Sequence, residues 1–394
     1  MTRHLSTRRR VLLGAVACIA AVATGCIPKP EWYDVPATLP AAPGDIVRTY
    51  PVLFDGTDTY RGTAIMYRST SATNQPNVVT GTLYEPKEPW TGPGSRPVIG
   101  FGVGTQGQGD RCAPSQTLPV GSNYEKGTIL ELLAQGWAVA VTDYEKLGTA
   151  GDHTYVVRLA EAHAVLDMVR AAQRVPESSV EPDSPVALWG YSQGGQAAAA
   201  AAEVEAAYAP ELDVRGVVAG GVPSDLTVMA EHLNGPGNAW FTILAFAALG
   251  LNSAYPELDL ESYLTPEALT LLDSVRTGPG YCLFDGLPIL ANRRIEELTT
   301  TNPLATPQWL ARLAEQRVGT IAPAVPAFLY HGAVDQLVPY ELGTGLRDAW
   351  CGLGADVTFT AYPVDHFGGL VAGTTDGVAF LTDRFAGVPS TPGC

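Results

Sequence analysis

The sequence predicts an α/β fold with a mostly parallel sheet, helices on both of its faces and an inserted helical cap. Short apolar runs alternate with helix-like segments up to residue 222, the alternation stops over residues 223–310, and it resumes near residue 326. Alternating strands and helices are typical of a parallel sheet that is buried on both faces. With 394 residues, 46% of them hydrophobic, the chain is long enough for one large domain with an insertion.

The predicted elements follow the order of the chain. Residues 63–71 and 77–84 predict two strands joined by a polar turn over residues 72–76. Later apolar runs predict further strands, and the longer segments between them predict helices. These strands are 97–101, 137–142, 186–189, 214–218, 326–330 and 357–362, and the helices are 126–133, 155–175 and 377–385.

Five regions are expected along the chain. They are an export signal (1–25), a proline-rich linker (26–45), the first part of the core (46–222), the helical cap (223–310) and the second part of the core (311–394).

The strand predicted at 186–189 leads into Gly190-Tyr191-Ser192-Gln193-Gly194, and six alanines follow from Ala197. A G-x-S-x-G motif alone also occurs by chance in loops. Between a strand and a helix, however, it predicts the nucleophile elbow of an α/β-hydrolase, in which a sharp turn exposes the serine hydroxyl. Ser192 is therefore the candidate nucleophile.

A serine nucleophile needs a base and an acid that orients the base, and in this fold they follow the serine in the order acid, histidine. His366 follows the last predicted core strand, and Asp335 follows the strand before it. Asp365 is a poorer acid because it adjoins His366 and cannot easily reach round to its ring. The sequence predicts a triad of Ser192, Asp335 and His366.

An oxyanion hole requires backbone N–H donors. One is expected from Gln193, the residue after the nucleophile. The other is expected from the glycine-rich loop after strand 97–101, where Gln106 or Gly107 is the predicted donor. The alternative interpretation of this loop is a flexible glycine segment.

Residues 239–251 in the cap are almost wholly apolar, and their length favours a buried helix over a membrane span. One interpretation is plain packing within the cap. The functional one is the wall of an acyl-chain pocket, with Trp240, Phe241, Leu244 and Phe246 as lining residues.

The first residues predict export. Arg8-Arg9-Arg10 precedes an apolar run over 11–23 that is too short to span a bilayer, and Ala23-Thr24-Gly25-Cys26 resembles a lipobox that would be lipidated at Cys26. Ordinary cleavage nearby, with Cys26 unmodified, is the alternative. The full chain has a net charge of −16, so neither nucleic acid nor an anionic lipid surface is an expected partner.

Four cysteines remain after the signal and Cys26: Cys112, Cys282, Cys351 and Cys394. An even number in an exported protein predicts two disulfides, although spacing alone allows three pairings. No C-x-x-C motif or Cys/His cluster indicates a metal site, and no metal or other cofactor is expected.

These residues together resemble the secretory lipase family of the fungal lipase A type, which also has actinobacterial members. The resemblance covers most of residues 60–390 and rests on the paired strands near Met66, the Gly190–Gly195 motif, the Asp335 and His366 loops, Cys112-Ala113-Pro114-Ser115 and Tyr208-Ala209-Pro210-Glu211-Leu212. It implies an α/β-hydrolase core, a helical cap, hydrolysis of acylglycerols or other carboxylic esters without a cofactor, and the disulfides Cys112–Cys282 and Cys351–Cys394. Gly107 departs from the fungal lipases, which carry an acidic residue there.

The resulting hypothesis is an exported serine carboxylic ester hydrolase, a triacylglycerol lipase or esterase, with a lipid or other ester substrate and a membrane tether through Cys26. Its oligomeric state is left open. One alternative is an acyltransferase that uses the same triad with a sugar or lipid alcohol, and another is a peptidase, since this fold hosts many chemistries. A third is a non-catalytic, lipid-binding envelope lipoprotein.

Overall fold

The computed structural model describes residues 30–277, 282–391 and 393–394. The predicted export signal and Cys26 lie outside the described residues. Within them, nine strands form one sheet in the order β1-β2-β3-β5-β4-β6-β7-β8-β9. The strands are β1 Ile46–Phe54, β2 Thr57–Thr70, β3 Pro76–Pro86, β4 Val98–Gly102, β5 Ala138–Glu145, β6 Val186–Tyr191, β7 Val214–Gly220, β8 Ala327–Gly332 and β9 Val357–Tyr362.

Helices precede, separate and follow these strands. They are α1 Pro114–Thr117, α2 Lys126–Ala134, α3 Arg158–Ala172, α4 Gln193–Tyr208, α5 Leu226–Leu233, α6 Phe241–Ala254, α7 Pro266–Thr277, α8 Leu283–Leu290, α9 Ile295–Leu298, α10 Pro307–Glu315, α11 Tyr340–Gly352, α12 His366–Ala372 and α13 Thr374–Phe385. Short 3-10 helices span Pro30–Tyr33, Asp110–Cys112, Pro256–Leu258, Leu260–Tyr263 and Pro303–Ala305.

The sheet combines an antiparallel edge with a parallel centre. β1, β2 and β3 pair antiparallel, and β3 joins β5 in the same way. The pairs from β5 through β4, β6, β7 and β8 to β9 are parallel. In parallel strands the carboxyl ends lie at one edge of the sheet, so the loops after β4, β6, β8 and β9 lie on the same side. The predicted α/β fold is confirmed.

Two expectations from the sequence need correction. The first strand was predicted to begin at residue 63, whereas β1 covers Ile46–Phe54 and β2 begins at Thr57. The segment predicted as a linker is partly packed onto the core, because Trp32 and Tyr33 are buried and the Tyr33 hydroxyl hydrogen-bonds Ser115 Oγ at 2.9 Å.

Buried apolar side chains form two large clusters. The first, here the core cluster, surrounds the sheet and includes Trp189 and the alanines of α4. The second, the cap cluster, unites helices α5 to α10 with Tyr155–Val157 and with Leu337 and Leu342. α10 runs past residue 310, the expected end of the cap, and Leu313 belongs to the cap cluster.

Two disulfides join distant parts of the chain. Cys112 is bonded to Cys282, which links the loop after β4 to the cap, and Cys351 is bonded to Cys394. These are the pairings that the resemblance implied. In the described residues, no helix has both the length and the apolar character needed to cross a bilayer.

Candidate active site

Ser192 occupies a sharp turn between β6 and α4. Its φ is 59° and its ψ is −122°, a conformation that is strained for a residue with a side chain. Neighbouring backbone fixes the residues on either side. A Cβ atom on Gly190 would collide with the Gly194 carbonyl, and one on Gly194 would collide with the Gly102 carbonyl. The motif therefore requires glycine at 190 and 194.

The structure brings Ser192, His366 and Asp335 together across 174 positions of chain. His366 Nε2 lies 3.0 Å from Ser192 Oγ, and His366 Nδ1 lies 2.7 Å from Asp335 Oδ2. A carboxylate only accepts, so Nδ1 carries the proton and Nε2 is free to accept from the serine hydroxyl. This is the geometry of a nucleophile, a base and an orienting acid.

Asp335 lies in the turn after β8, with its side chain fully buried. The backbone N–H groups of Leu337 and Val338 donate to its Oδ1 at 2.9 and 2.8 Å, which leaves Oδ2 for His366. His331 Nε2 approaches Oδ2 at 3.4 Å. Burial by itself would raise the pKa of Asp335, but hydrogen bonds with His331, His366 and the Val338 N–H hold that pKa well below its usual range.

His366 is the first residue of α12 rather than part of a loop, and its backbone is held on two sides. The Tyr191 hydroxyl donates to the His366 carbonyl at 2.6 Å, and the His366 N–H donates to Gln336 Oε1 at 3.1 Å. Asp365 instead caps this helix, since its Oδ1 accepts from Gly368 N at 2.8 Å. The supporting roles of Tyr191 and Gln336 had no signal in the sequence beyond their closeness to Ser192 and Asp335.

Gln193 is the first residue of α4, where backbone N–H groups have no partner within the helix and the helix dipole is positive. On the opposite loop, the predicted donors do not line the cavities beside the nucleophile. Thr105 lines the cavities beside Ser192, whereas neither Gln106 nor Gly107 does. Gln106 O accepts from Leu283 N at 2.7 Å, and Gly107 pairs with Cys282, so both are joined to the cap.

A large apolar cavity of the cap cluster opens at Ser192. It encloses about 1210 Å³ of empty space, part of it open to solvent. Among the predicted pocket residues, Phe241 and Leu244 line it, but Trp240 and Phe246 do not. Trp240 packs against the ring of Phe367 and Phe246 against that of Tyr155. Further lining residues include Ala247, Leu251, Leu271, Leu272 and Trp309.

A second, smaller pocket also adjoins the serine. Ser192 and Thr105 line both spaces, whereas His366 lines only the small one and Gln193 only the large one. The nucleophile thus lies on the boundary between a large apolar cavity and a small pocket that contains its base.

Two buried carboxyl groups, those of Glu125 and Glu161, adjoin the site without belonging to the triad. Burial raises the pKa of Glu125 to about 7, against the opposing effect of the Gly104 N–H that donates to it. Burial likewise raises the pKa of Glu161 to about 8, although hydrogen bonds from Gln193 and Val156 oppose the shift. Nothing in the sequence indicated that Glu125, just before α2, or Glu161, within α3, is buried. In residues 30–277 and 282–391, no three His, Cys, Asp or Glu side chains are grouped so that they could hold a metal ion.

Comparison with known proteins connects this geometry to a family. A sequence model of the secretory lipase family matches residues 112–393. A secreted triacylglycerol lipase of Malassezia furfur is 28% identical over 70% of this chain, and the match spans 61% of that relative's own length. A protein of Mycobacterium tuberculosis named a probable inactive lipase is 30% identical over 89% of this chain and 80% of its own.

Solved structures share the fold of this chain. The chain is similar to lipase A of Candida antarctica in its closed state, with a TM-score of 0.83, 25% identity and coverage of 93% of this chain and 89% of the other. An esterase of Xanthomonas oryzae that degrades rice cell walls has the same fold, with a TM-score of 0.68 at 20% identity over 88% of this chain and 97% of that one.

Proposed function

Because the chain belongs to the secretory lipase family, a family of exported carboxylic ester hydrolases, we propose that it hydrolyses long-chain lipid esters, as a triacylglycerol lipase or esterase, through an acyl-enzyme on Ser192. One observation carries this proposal: the hydroxyl of Ser192, 3.0 Å from His366 Nε2, opens onto the large apolar cavity of the cap. An apolar cavity beside an activated serine suits an acyl chain better than a sugar or a peptide.

The reaction follows from the proton positions. Ser192 Oγ attacks the ester carbonyl while its proton passes to His366 Nε2, and Asp335 stabilises the imidazolium that forms. Collapse of the tetrahedral intermediate breaks the bond to the alcohol, which leaves with the proton from His366. Water then attacks the acyl-enzyme, giving its proton to His366, and the fatty acid leaves as Ser192 regains a proton.

The oxyanion that develops in each step needs donors on the far side from His366. We assign one to the backbone N–H of Gln193 and the other to the loop that carries Thr105, since these residues line the cavity beside Ser192. This replaces Gln106 and Gly107 as the favoured donors. Loss of one such donor in a related reaction costs about 3–4 kcal/mol of barrier stabilisation.

The two pockets divide the substrate. The alcohol must leave beside His366, which protonates it, so it belongs in the small pocket that His366 lines. The acyl chain then occupies the large cavity, where Phe241 and Leu244 contact it. Lipidation of Cys26 would keep this enzyme at the membrane after export, and the mass of the mature N-terminus with or without a diacylglyceryl group tests that part.

The central test is Ser192→Ala. The variant should fold with an unchanged melting temperature and lose ester hydrolysis by up to ~10⁶-fold, because the other triad groups cannot act without the nucleophile. Rates on p-nitrophenyl esters from C2 to C18 measure activity and chain-length preference together. A fluorophosphonate probe should label the wild type on Ser192 and leave the variant unlabelled. Full hydrolysis by Ser192→Ala would refute the assignment.

A second candidate function is non-catalytic lipid binding, and the name of the mycobacterial relative is the observation in its favour. The hydrogen-bonded Ser192, His366 and Asp335 of this chain argue for catalysis instead. A wild-type protein that binds fatty acids but neither reacts with the fluorophosphonate nor hydrolyses any ester of the series would favour the binding function.

A further inference from the structure

The side chain of Gln193, the residue after the nucleophile, is buried, and both hydrogens of its amide nitrogen have acceptors. The residue is 1% exposed. Its Nε2 donates to Glu161 Oε1 at 2.7 Å and lies 3.2 Å from His153 Nε2. An oxyanion donor at this position needs only a backbone N–H, so the long polar side chain requires a separate explanation. Burying an amide is unfavourable unless its hydrogen bonds are made.

His153 is in the state that accepts the second amide hydrogen. Its Nδ1 lies 3.0 Å from the carbonyl oxygen of Glu145, which can only accept, so Nδ1 carries the proton and Nε2 accepts from Gln193. Burial lowers the pKa of His153 to about 4, against the effect of the Glu145 carbonyl, and the ring stays neutral. Both hydrogens of the Gln193 amide are therefore bound, one by Glu161 and one by His153.

Glu161 also holds the wall of the site. Its Oε1 accepts from Val156 N at 2.8 Å, and Val156 has a φ of 53°, an unusual value for a β-branched residue. The neighbouring Tyr155 hydroxyl hydrogen-bonds Thr105 Oγ1 at 2.6 Å. The segment from His153 to Glu161 thus contacts both sides of the assigned oxyanion hole, Gln193 on one and Thr105 on the other.

The carboxyl of Glu161 is suited to a place behind an oxyanion. A negative charge there would oppose the negative charge that develops on the substrate, more strongly in a buried site than in water. With its pKa raised by burial to about 8, Glu161 is protonated near neutral pH. It then accepts both N–H groups without adding a charge to the site.

We propose that Glu161 and His153 form a buried clamp on the side chain of Gln193 that positions its backbone N–H for oxyanion stabilisation. Glu161 and His153 are positioning residues, since neither touches substrate. The inference rests on the proposed function and goes beyond it, because it predicts that catalysis depends on the hydrogen bonds of an amide side chain, whereas an oxyanion donor needs only the backbone N–H.

The test replaces the amide with a thioether of similar length. Gln193→Met should lower kcat on a p-nitrophenyl ester about 10- to 100-fold, less than the complete loss of a donor, while KM changes by less than threefold. A trifluoromethyl ketone, whose adduct with Ser192 places an oxyanion in the hole, should bind more weakly by a factor similar to the loss of kcat/KM. A role in stability alone would leave that correlation absent.

Gln196→Met is the matched control. Gln196 is fully buried on the same helix and donates to the Gln316 carbonyl at 3.3 Å, away from the site. Its loss should lower the melting temperature without lowering kcat. Glu161→Gln keeps a carbonyl acceptor and should retain kcat within threefold, whereas Glu161→Met should resemble Gln193→Met. If Gln193→Met fails to fold, the comparison of kcat between Glu161→Gln and Glu161→Met tests the proposal instead.

Two outcomes would overturn the clamp. One is wild-type kcat in Gln193→Met or Glu161→Met, and the other is an equal loss of kcat in Gln193→Met and Gln196→Met. Failure of the proposed function looks different, since wild-type protein would then hydrolyse no ester and Ser192 would not react with the fluorophosphonate.

Discussion

The core and the cap bury apolar surface in different ways. In the core cluster, strands and alanine-rich α4 pack so closely that the glycines of the elbow have no room for a Cβ atom. The cap cluster is as apolar but encloses a cavity that reaches Ser192. Close packing fixes the backbone, and a fixed backbone fixes where the triad side chains begin. On the proposed function, the chemistry therefore depends on the core, and the choice of acyl chain on the cap.

The carboxyl groups of the core and the cap also differ, in the direction of their pKa shifts. Each described carboxyl group whose pKa is raised by burial lies in the core region or its loops; they are Asp110, Glu125, Asp143, Glu161, Asp167 and Glu205. In the cap, Glu257 has a lowered pKa because its own backbone and Arg312 donate hydrogen bonds to it. If core and cap are separable in this way, variants in each should change different properties.

The largest effect is expected in the core triad. Asp335→Asn should lower kcat by about 10⁴-fold, because an amide in place of the carboxylate favours the wrong imidazole tautomer. Rates on one ester measure the loss of kcat, and a thermal melt shows whether the variant is still folded.

Asp365→Asn is its control. Asparagine caps a helix about as well as aspartate, and Asp365 contacts Gly368 rather than the ring, so activity should stay within a few-fold. Comparable losses in the two variants would mean that Asp335 is not the only carboxylate that orients His366 and that Asp365 contributes as much.

The convergence of Ser192, Asp335 and His366 could be predicted because it depends on local features that the sequence displays. Chain order and strand ends located Asp335 and His366, and the elbow motif located Ser192. Strand β1 was missed because it is an edge strand, most of its residues are half-exposed or exposed, and Arg48 and Pro51 interrupt its apolar residues. The clamp on Gln193 was missed because nothing in the sequence distinguishes a buried Glu161 from an exposed one.

The cap was predictable as a class but not residue by residue. α6 is apolar around most of its circumference, so no stripe marks the face toward the cavity. For that reason the sequence could not distinguish Phe241 and Leu244, which line the cavity, from Trp240 and Phe246, which do not. The loop after β4 has the same difficulty, because its path depends on the long-range pairing of Gly107 with Cys282.

The next largest effect is expected from removing the disulfides, one of which joins the core to the cap. Replacing either pair of cysteines with serine should lower the free energy of unfolding by roughly 2–4 kcal/mol, with about 1 kcal/mol more for the longer loop. That loop is closed by Cys112–Cys282, with a sequence separation of 170 against 43 for Cys351–Cys394. Urea unfolding measures both losses.

Activity should distinguish the same two variants. Cys112–Cys282 joins the loop that carries Thr105 to the cap, so its removal should lower kcat at a temperature where the variant is folded. Cys351–Cys394 lies between α11 and the C-terminus, and its removal should leave kcat unchanged. If kcat fell equally in both, the cap would not be holding the oxyanion loop.

A smaller effect is expected from filling the cap cavity. Ala247 lines the cavity, whereas Ala254 lies on the same helix outside it. Ala247→Leu should reduce kcat/KM for C16 esters by roughly tenfold or more, since even one methylene in an apolar pocket is worth about 1–3 kcal/mol, and leave C4 esters within twofold. Ala254→Leu should leave the C16 to C4 ratio unchanged. An unchanged ratio in Ala247→Leu would place the acyl chain elsewhere.

The last comparison concerns pH and stability. The pKa of Glu125 is about 7 in the folded protein and about 4.3 in an unfolded chain. Between these values the unfolded state releases a proton that the folded state keeps, so stability falls as pH rises, by at most ~1.4 kcal/mol per pH unit for this group. Glu125→Gln should remove that part of the slope, and urea unfolding at intervals from pH 5 to 7 would measure it.

Glu257→Gln in the cap is the control. It should leave the slope over this range unchanged, because the lowered pKa of Glu257 contributes stability that is lost only as pH falls below about 4.3. A change of slope in the cap variant, or none in the core variant, would show that the buried carboxyls of the core do not set the pH response.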